Sequence, residues 1–165
     1  MHYANRRKQV CEQFMQLTRA ADYAVRVMIH LAGLPPGTRA SRSQLAEAAE
    51  CPEQFLSKVL QTLSRAGLMV SHRGNTGGFE LPEKHRSVTL LQIVESVEGP
   101  IRLNACLDED QSCPRSGWCA GHLVWAEAQR AMLEVLRSAT VRELAQRSAT
   151  VRNFERISGE EPKWN

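Results

Sequence analysis

From Thr18 onward, apolar residues recur at helical spacing: Ala21, Ala24, Val25, Met28, Ile29 and Leu31 fall on one side of a first predicted helix. Thr18 suits its N-cap, Asp22 sits near the positive end of its dipole, and Pro35-Pro36-Gly37 ends it. Ser41 opens a second, short helix that reaches Ala49. Cys51-Pro52 breaks the pattern and starts a third, because proline suits a helix's first position. This third helix runs to about Ala66. Phe55, Leu56, Val59, Leu60 and Leu63 line its apolar side, and Gln54, Ser57, Lys58, Gln61 and Arg65 line the other. Gly67 is a C-terminal stop.

Two short strand candidates follow, Leu68 to Ser71 and Phe79 to Leu81. Between them lies His72-Arg73-Gly74-Asn75-Thr76-Gly77-Gly78, a hairpin tip rich in glycine. Thr89 to Gln92 reads as a capping box for a helix through Ser96, stopped by Gly99-Pro100. Residues 101–118 show no period. A long helix then runs from near Cys119 to about Ser138. One of its apolar stripes is Val124, Ala128, Ala131 and Val135; beside it lie Trp125, Met132 and Leu136. A helix this broadly apolar requires burial on more than one side. Thr140-Val141-Arg142-Glu143 is a further capping box, and the chain turns polar from Ser158.

Two short helices joined by a tight turn and followed by a Gly-rich hairpin give the order of a winged helix-turn-helix. The fold class expected is therefore mainly α with a small β-wing, plus a long helix for dimerisation. Charge changes the picture by its placement. Residues 1–86 carry 12 Lys+Arg against 7 Asp+Glu, whereas residues 87–165 carry 9 against 11, so the basic excess lies where a polyanion would dock. A helix of this width enters the major groove, with its apolar side anchoring it to the domain. Gln54, Ser57, Lys58 and Gln61 would then meet base edges, with Lys58 and Arg65 also able to hold phosphates. On the wing, Gly74 allows close backbone approach, and Arg73 suits a phosphate or the minor groove. Singly, each of these residues reads better as part of a solvated face. It is their order that points to DNA. No nucleophile–base constellation or phosphate loop suggests an enzyme.

No signal-like or membrane-spanning stretch is visible, so the expected location is cytoplasmic, with no membrane partner. Five cysteines in that setting are thiols or metal ligands rather than disulfides. Cys106, Cys113, Cys119 and His122 form C-x6-C-x5-C-x2-H. Thiolates are soft ligands for iron–sulfur clusters, zinc or copper(I). Pro114, Gly117 and Gly121 let the segment wrap, and Cys119 at a helix start gains thiolate character. Cys11 and Cys51 stand apart.

Together these motifs resemble the IscR/NsrR family of winged-helix iron–sulfur transcription regulators, over about Met15 to Arg147. The resemblance is carried by Met15-Gln16-Leu17-Thr18 with Asp22-Tyr23-Ala24, by Leu63 to Leu68 and by Arg73-Gly74…Gly77-Gly78-Phe79. Glu98-Gly99-Pro100 and Cys119-Ala120-Gly121-His122-Leu123-Val124-Trp125 add to it. It implies a homodimer paired through the long helix, and a cluster on Cys106, Cys113 and Cys119. It also leaves two candidate fourth ligands. Cluster-assembly members use a histidine at the place of His122. Nitric-oxide-sensing members use an aspartate at the place of Asp22, reaching across from the other subunit. This sequence has both, and it departs from the family in having six residues rather than five between the first two cysteines. Cluster nuclearity, 2Fe-2S or 4Fe-4S, is left open by that change.

The expected organisation is an extension at 1–14, with Met15 a candidate internal start, and a winged helix-turn-helix at 15–98. A cysteine-rich cluster-binding loop at 99–118 comes next, then the dimerisation and C-terminal helices at 119–148, and a tail at 149–165. The expected function is a homodimeric repressor on a double-stranded DNA operator, controlled by a cluster that senses redox state, nitric oxide or iron and cluster supply. Two alternatives share the cysteines: a clusterless thiol- or zinc-dependent regulator, and a small iron–sulfur electron-transfer protein.

Overall fold

The computed structural model describes residues 17–74, 77–108 and 113–158, with only the backbone described for 151–158. The expected extension, Asn75 and Thr76 of the hairpin tip, part of the cysteine loop and the end of the tail lie outside these residues.

Helix α1 (Arg19–Gly33) starts where Thr18 Oγ1 accepts the Ala21 amide, and the Thr18 amide donates to Glu98 Oε1 at 2.8 Å. It buries Ala21, Ala24, Val27, Met28, Leu31 and Ala32. The expected Val25 and Ile29 are only half-buried, because α1 packs against α3, α4 and α6 at once, which centres the buried face on Ala24, Met28 and Leu31. Helix α2 (Arg42–Ala48) carries a full capping box between Ser41 and Gln44. Its chain reverses through Glu50, whose φ of 53° is the one left-handed non-glycine backbone among the described residues. Helix α3 (Glu53–Arg65) follows with Pro52 as its N-cap, one position earlier than the sequence suggested. Leu56, Val59, Leu60 and Leu63 are its buried side. Phe55, expected among them, is instead about half exposed, with its ring edge-on to Tyr23 at 5.7 Å. It falls on the shoulder of the helix, where α1 covers only one side.

Gly67, at φ 70°, takes the left-handed stop, and the Leu68 amide returns to the Leu63 carbonyl. Strands β1 (Val70–His72) and β2 (Gly78–Glu80) are antiparallel, with Ser71 opposite Phe79. They sit one to two residues nearer the tip than expected, since Leu68 belongs to the helix stop and Leu81 turns into the core. Ala40 adds a third, single-residue rung, exchanging both backbone hydrogen bonds with Phe79. That rung explains Gly78, because a Cβ there would stand 2.8 Å from the Ala40 carbonyl oxygen.

Helix α4 (Leu90–Glu98) is capped by the Thr89–Gln92 box and runs two residues past the expected Ser96. After a 3₁₀ turn at Ala105–Leu107 comes α5 (Ala120–Ser138), which buries none of its residues within the chain. Helix α6 (Val141–Ser158) carries Val141 and Ala145 into the core against α1. It is capped by Thr140 and Glu143 and continues ten residues beyond the point where a tail was expected.

Candidate functional site

Two surfaces carry the chemistry. On α3, the four buried aliphatics fix the helix so that Gln54, Lys58, Gln61 and Arg65 form one continuous exposed stripe on the opposite side. Ser57 lies off that stripe and is half-buried; its hydroxyl donates to the Glu53 carbonyl and faces Arg42 Nη1 at 3.4 Å. Arg42, the first residue of α2, also pairs with the Glu53 carboxylate. The sequence reading did not single out Arg42. Its signal was a basic residue at the first position of the helix that precedes α3, at the edge of the same polar face. On the wing, Arg73 and Gly74 are exposed, and Gly74 has φ 100°. The Gly77 amide donates to the Gly74 carbonyl, and a Cβ on Gly77 would sit 2.5 Å from the His72 carbonyl oxygen, so the tip closes only with glycine there. At the wing's base, Glu80 is held by His72 Nε2 at 2.9 Å and approached by Arg39 at 3.8 Å.

A second residue absent from the sequence reading is Arg86, which is buried. Its guanidinium donates to the carbonyls of Ala32 at 2.7 Å and Leu34 at 2.6 Å, closing the C-terminal end of α1. Glu83 lies beside it at 3.1 Å and also binds Arg142 on α6; that hydrogen bond holds the Glu83 carboxyl below its ordinary range. Backbone bonds from Val141 to Val88 and from Leu90 to Ala139 tie the same junction. The turn between α5 and α6 is thereby fastened to the end of α1 and the start of α4.

The other surface is the cysteine segment. Cys106 lies on the 3₁₀ turn, which packs against α5. Cys113 opens a turn through Trp118, and Cys119 is the N-cap of α5. All three are half-buried free thiols. His122, one turn into α5, has a buried Nδ1 with no hydrogen-bond partner. Trp118, three-quarters exposed, has Arg115 over its ring at 6.0 Å. Among the described residues no three His, Cys, Asp or Glu side chains converge on a point that could hold one metal ion. The donor set nevertheless suits an iron–sulfur group, which spreads its ligands over several atoms: three soft, unpaired sulfurs and an imidazole nitrogen awaiting a partner. Asp22, expected to act across from the other subunit, lies on α1. Its carboxylate is paired with Arg26 at 3.0 Å on α1. Cys51 is buried near the start of α3, and burial raises its thiol pKa, so it is a core residue rather than a reactive one.

The comparisons agree with this geometry. The family model described as Rrf2, iron-dependent transcriptional regulator, matches residues 17–147. Protein aau3 of Rhizobium meliloti is 34% identical over 132 residues, covering 79% of this chain and 84% of its own. The transcriptional regulator NsrR of Bacillus subtilis is 32% identical over 131 residues, covering 79% and 90%. Among solved structures, CymR, the global cysteine regulator of B. subtilis, is 26% identical with a TM-score of 0.67, covering 81% of this chain and 98% of its own. IscR of T. potens shares the fold at 22% identity and a TM-score of 0.59. No helix among the described residues is long and apolar enough to cross a membrane. With a winged helix-turn-helix and a family match over residues 17–147, the chain belongs to the Rrf2 family of DNA-binding transcription regulators.

Proposed function

We propose that this protein is a cytoplasmic homodimeric repressor whose operator binding is controlled by an iron–sulfur cluster on Cys106, Cys113 and Cys119. The observation that carries the reading is the position of the cysteine segment. It joins α4, the last helix of the DNA-reading unit, to α5, a helix with exposed Leu123, Val124, Trp125 and Val135. Those side chains suit a second copy of α5. Any change in the segment bears on the spacing of two reading helices, one per half-site. Gln54, Ser57, Lys58, Gln61 and Arg65 on α3, with Arg73 and Gly74 on the wing, would contact the operator, and Arg42 would hold a phosphate beside them.

For the fourth ligand, His122 is favoured over Asp22 of the partner subunit: its Nδ1 lacks a partner, whereas Asp22 is engaged by Arg26. When bound, the cluster supplies a centre that gains or loses an electron and reacts with oxidants or nitric oxide. The chain's own task is to hold the segment in one arrangement when loaded and to release it when not. Coupling of this type is commonly ~1–3 kcal/mol, enough to change operator occupancy. The test is anaerobic purification with a visible spectrum and iron, sulfide and zinc assays, followed by gel shifts of holo and apo protein on the promoter of its own gene. Iron and sulfide, with different affinities in the two states, are expected; equal affinities would overturn the switch.

A second reading has its own support. The structural likeness to CymR, a cysteine regulator by description, and the free thiols both fit a thiol- or zinc-dependent regulator without a cluster. Colourless protein carrying stoichiometric zinc, or no metal, would favour it. An electron-transfer role would not use the polar face of α3 at all.

A further inference from the structure

Two arginines, Arg86 and the half-buried Arg102, have an Nε sealed from solvent with no hydrogen-bond partner, and they differ in what the rest of each side chain meets. Arg86 is matched to two carbonyl oxygens and to Glu83. Arg102 is not matched. Its Nε is sealed from solvent and has no hydrogen-bond partner. A guanidinium stays charged at any pH the protein meets, and hiding one of its N–H groups without an acceptor is costly. Such an arrangement fits a site that receives an anion.

The location of Arg102 identifies which anion. It lies four residues before Cys106. The amide of its neighbour Leu103 donates to Gln129 Oε1 at 3.0 Å, pinning the 101–104 segment against α5. Gln129 and His122 are seven residues apart, two helical turns on one face of α5, and both are half-buried. A buried, partnerless ring nitrogen, His122 Nδ1, is on that face. Two orphaned nitrogens thus flank the cysteine segment, one before Cys106 and one after Cys119. A cluster held by three thiolates carries net negative charge, and its potential responds to nearby charge and to hydrogen bonds on its sulfurs.

We propose that Arg102 is a positioning residue of the cysteine site: its guanidinium is the counter-charge of the thiolate-held iron–sulfur group and raises its reduction potential. The inference rests on the cluster reading above. It differs from that reading in assigning a role to a residue that is not a ligand.

The test uses full-length protein purified without oxygen: wild type, Arg102→Lys and Arg102→Gln. Iron and sulfide content and the visible spectrum are measured first. The midpoint potential is then found by titration with dithionite. With the cluster retained, Arg102→Gln is expected to shift the oxidised-to-reduced ratio about tenfold toward the oxidised form at a fixed potential, ~59 mV for a one-electron couple. Arg102→Lys, which keeps the charge, is expected to lie between Gln and wild type. Should the Gln variant fail to hold the cluster, retention by the Lys variant supports the proposal. Loss from both overturns it, because shape rather than charge would then be the requirement. A full cluster in the Gln variant with an unmoved potential also overturns it while leaving the cluster reading intact. A wild-type protein without iron and sulfide overturns the cluster reading, and this inference with it.

Discussion

Helices α3 and α5 both carry apolar faces, and the chain treats them differently. In α3, Leu56, Val59, Leu60 and Leu63 are all buried against the domain's own core. In α5, six residues longer, nothing is buried, and Val124 and Val135 remain 65% and 67% exposed. One helix is completed by its own chain, whereas the other presents a surface that a second chain would complete. Burying a side chain of this size is worth about 1.5–3 kcal/mol, so α5 holds a substantial reserve for association. The core around α3 is therefore a finished scaffold, and in the reading proposed above its relation to a second copy would be set by α5, whose N-cap is Cys119.

The strongest way to break this contrast is to remove a core residue of α3. Leu63→Ala should cost about 2–5 kcal/mol of stability, seen as a lower urea midpoint, because the side chain is fully buried and its cavity cannot collapse easily. DNA binding should fall with the folded fraction. A loss under 1 kcal/mol would mean that α3 is not anchored as described.

Next in size is Arg86. Arg86→Met keeps the volume of the aliphatic stem but leaves the Ala32 and Leu34 carbonyls without their donors, inside the junction of α1 and the turn before α6. Hydrogen bonds to a charged group contribute about 1.5–3 kcal/mol, so a loss of roughly 2–3 kcal/mol in thermal or urea unfolding is expected. Glu83→Gln should cost much less, since Glu83 is more than half exposed. Equal effects would place the weight of the junction on the ion pairs rather than on the helix cap.

On α5 the expectation inverts. Val135→Glu should leave the unfolding of the chain's own core nearly unchanged, but weaken self-association at least tenfold, about 1.4 kcal/mol. Sedimentation velocity over a concentration series measures this. A variant that associates like wild type would show that the exposed stripe is not the face of the dimer.

How much of this was legible beforehand follows the same division. The caps at Thr18, Ser41, Thr89 and Thr140 were readable because each is a local pattern of two residues that the backbone must satisfy. The polar stripe of α3 was readable from periodicity, apart from two shoulder residues. Phe55 is exposed and Ser57 is tied to Arg42, since only the tertiary position of α1 and α2 decides what lies beside a helix. Arg86 was not readable: its carbonyl partners are 52 and 54 residues away, and nothing local marks an arginine that will be buried. The cysteine spacing showed which residues belong to one segment. It carried no information on Arg102, whose isolation is a property of packing alone.

The smallest expected effect lies in the turn between α2 and α3 and sharpens the contrast from inside the finished half. Glu50 holds φ 53° there, a conformation that costs a residue with a Cβ about 1–2 kcal/mol. Its ion pair with Arg26, at 3.5 Å with the carboxylate 83% exposed, returns little of that. Glycine removes the steric cost but loses about 0.5–1 kcal/mol to the greater freedom of the unfolded chain. Glu50→Gly should therefore be neutral to stabilising, by up to about 1 kcal/mol in thermal unfolding, with operator affinity kept. A destabilised variant would show that the Arg26 pair, rather than the backbone, holds this turn. The angle between α2 and α3 would then depend on a surface charge, and operator affinity should fall as salt screens that pair.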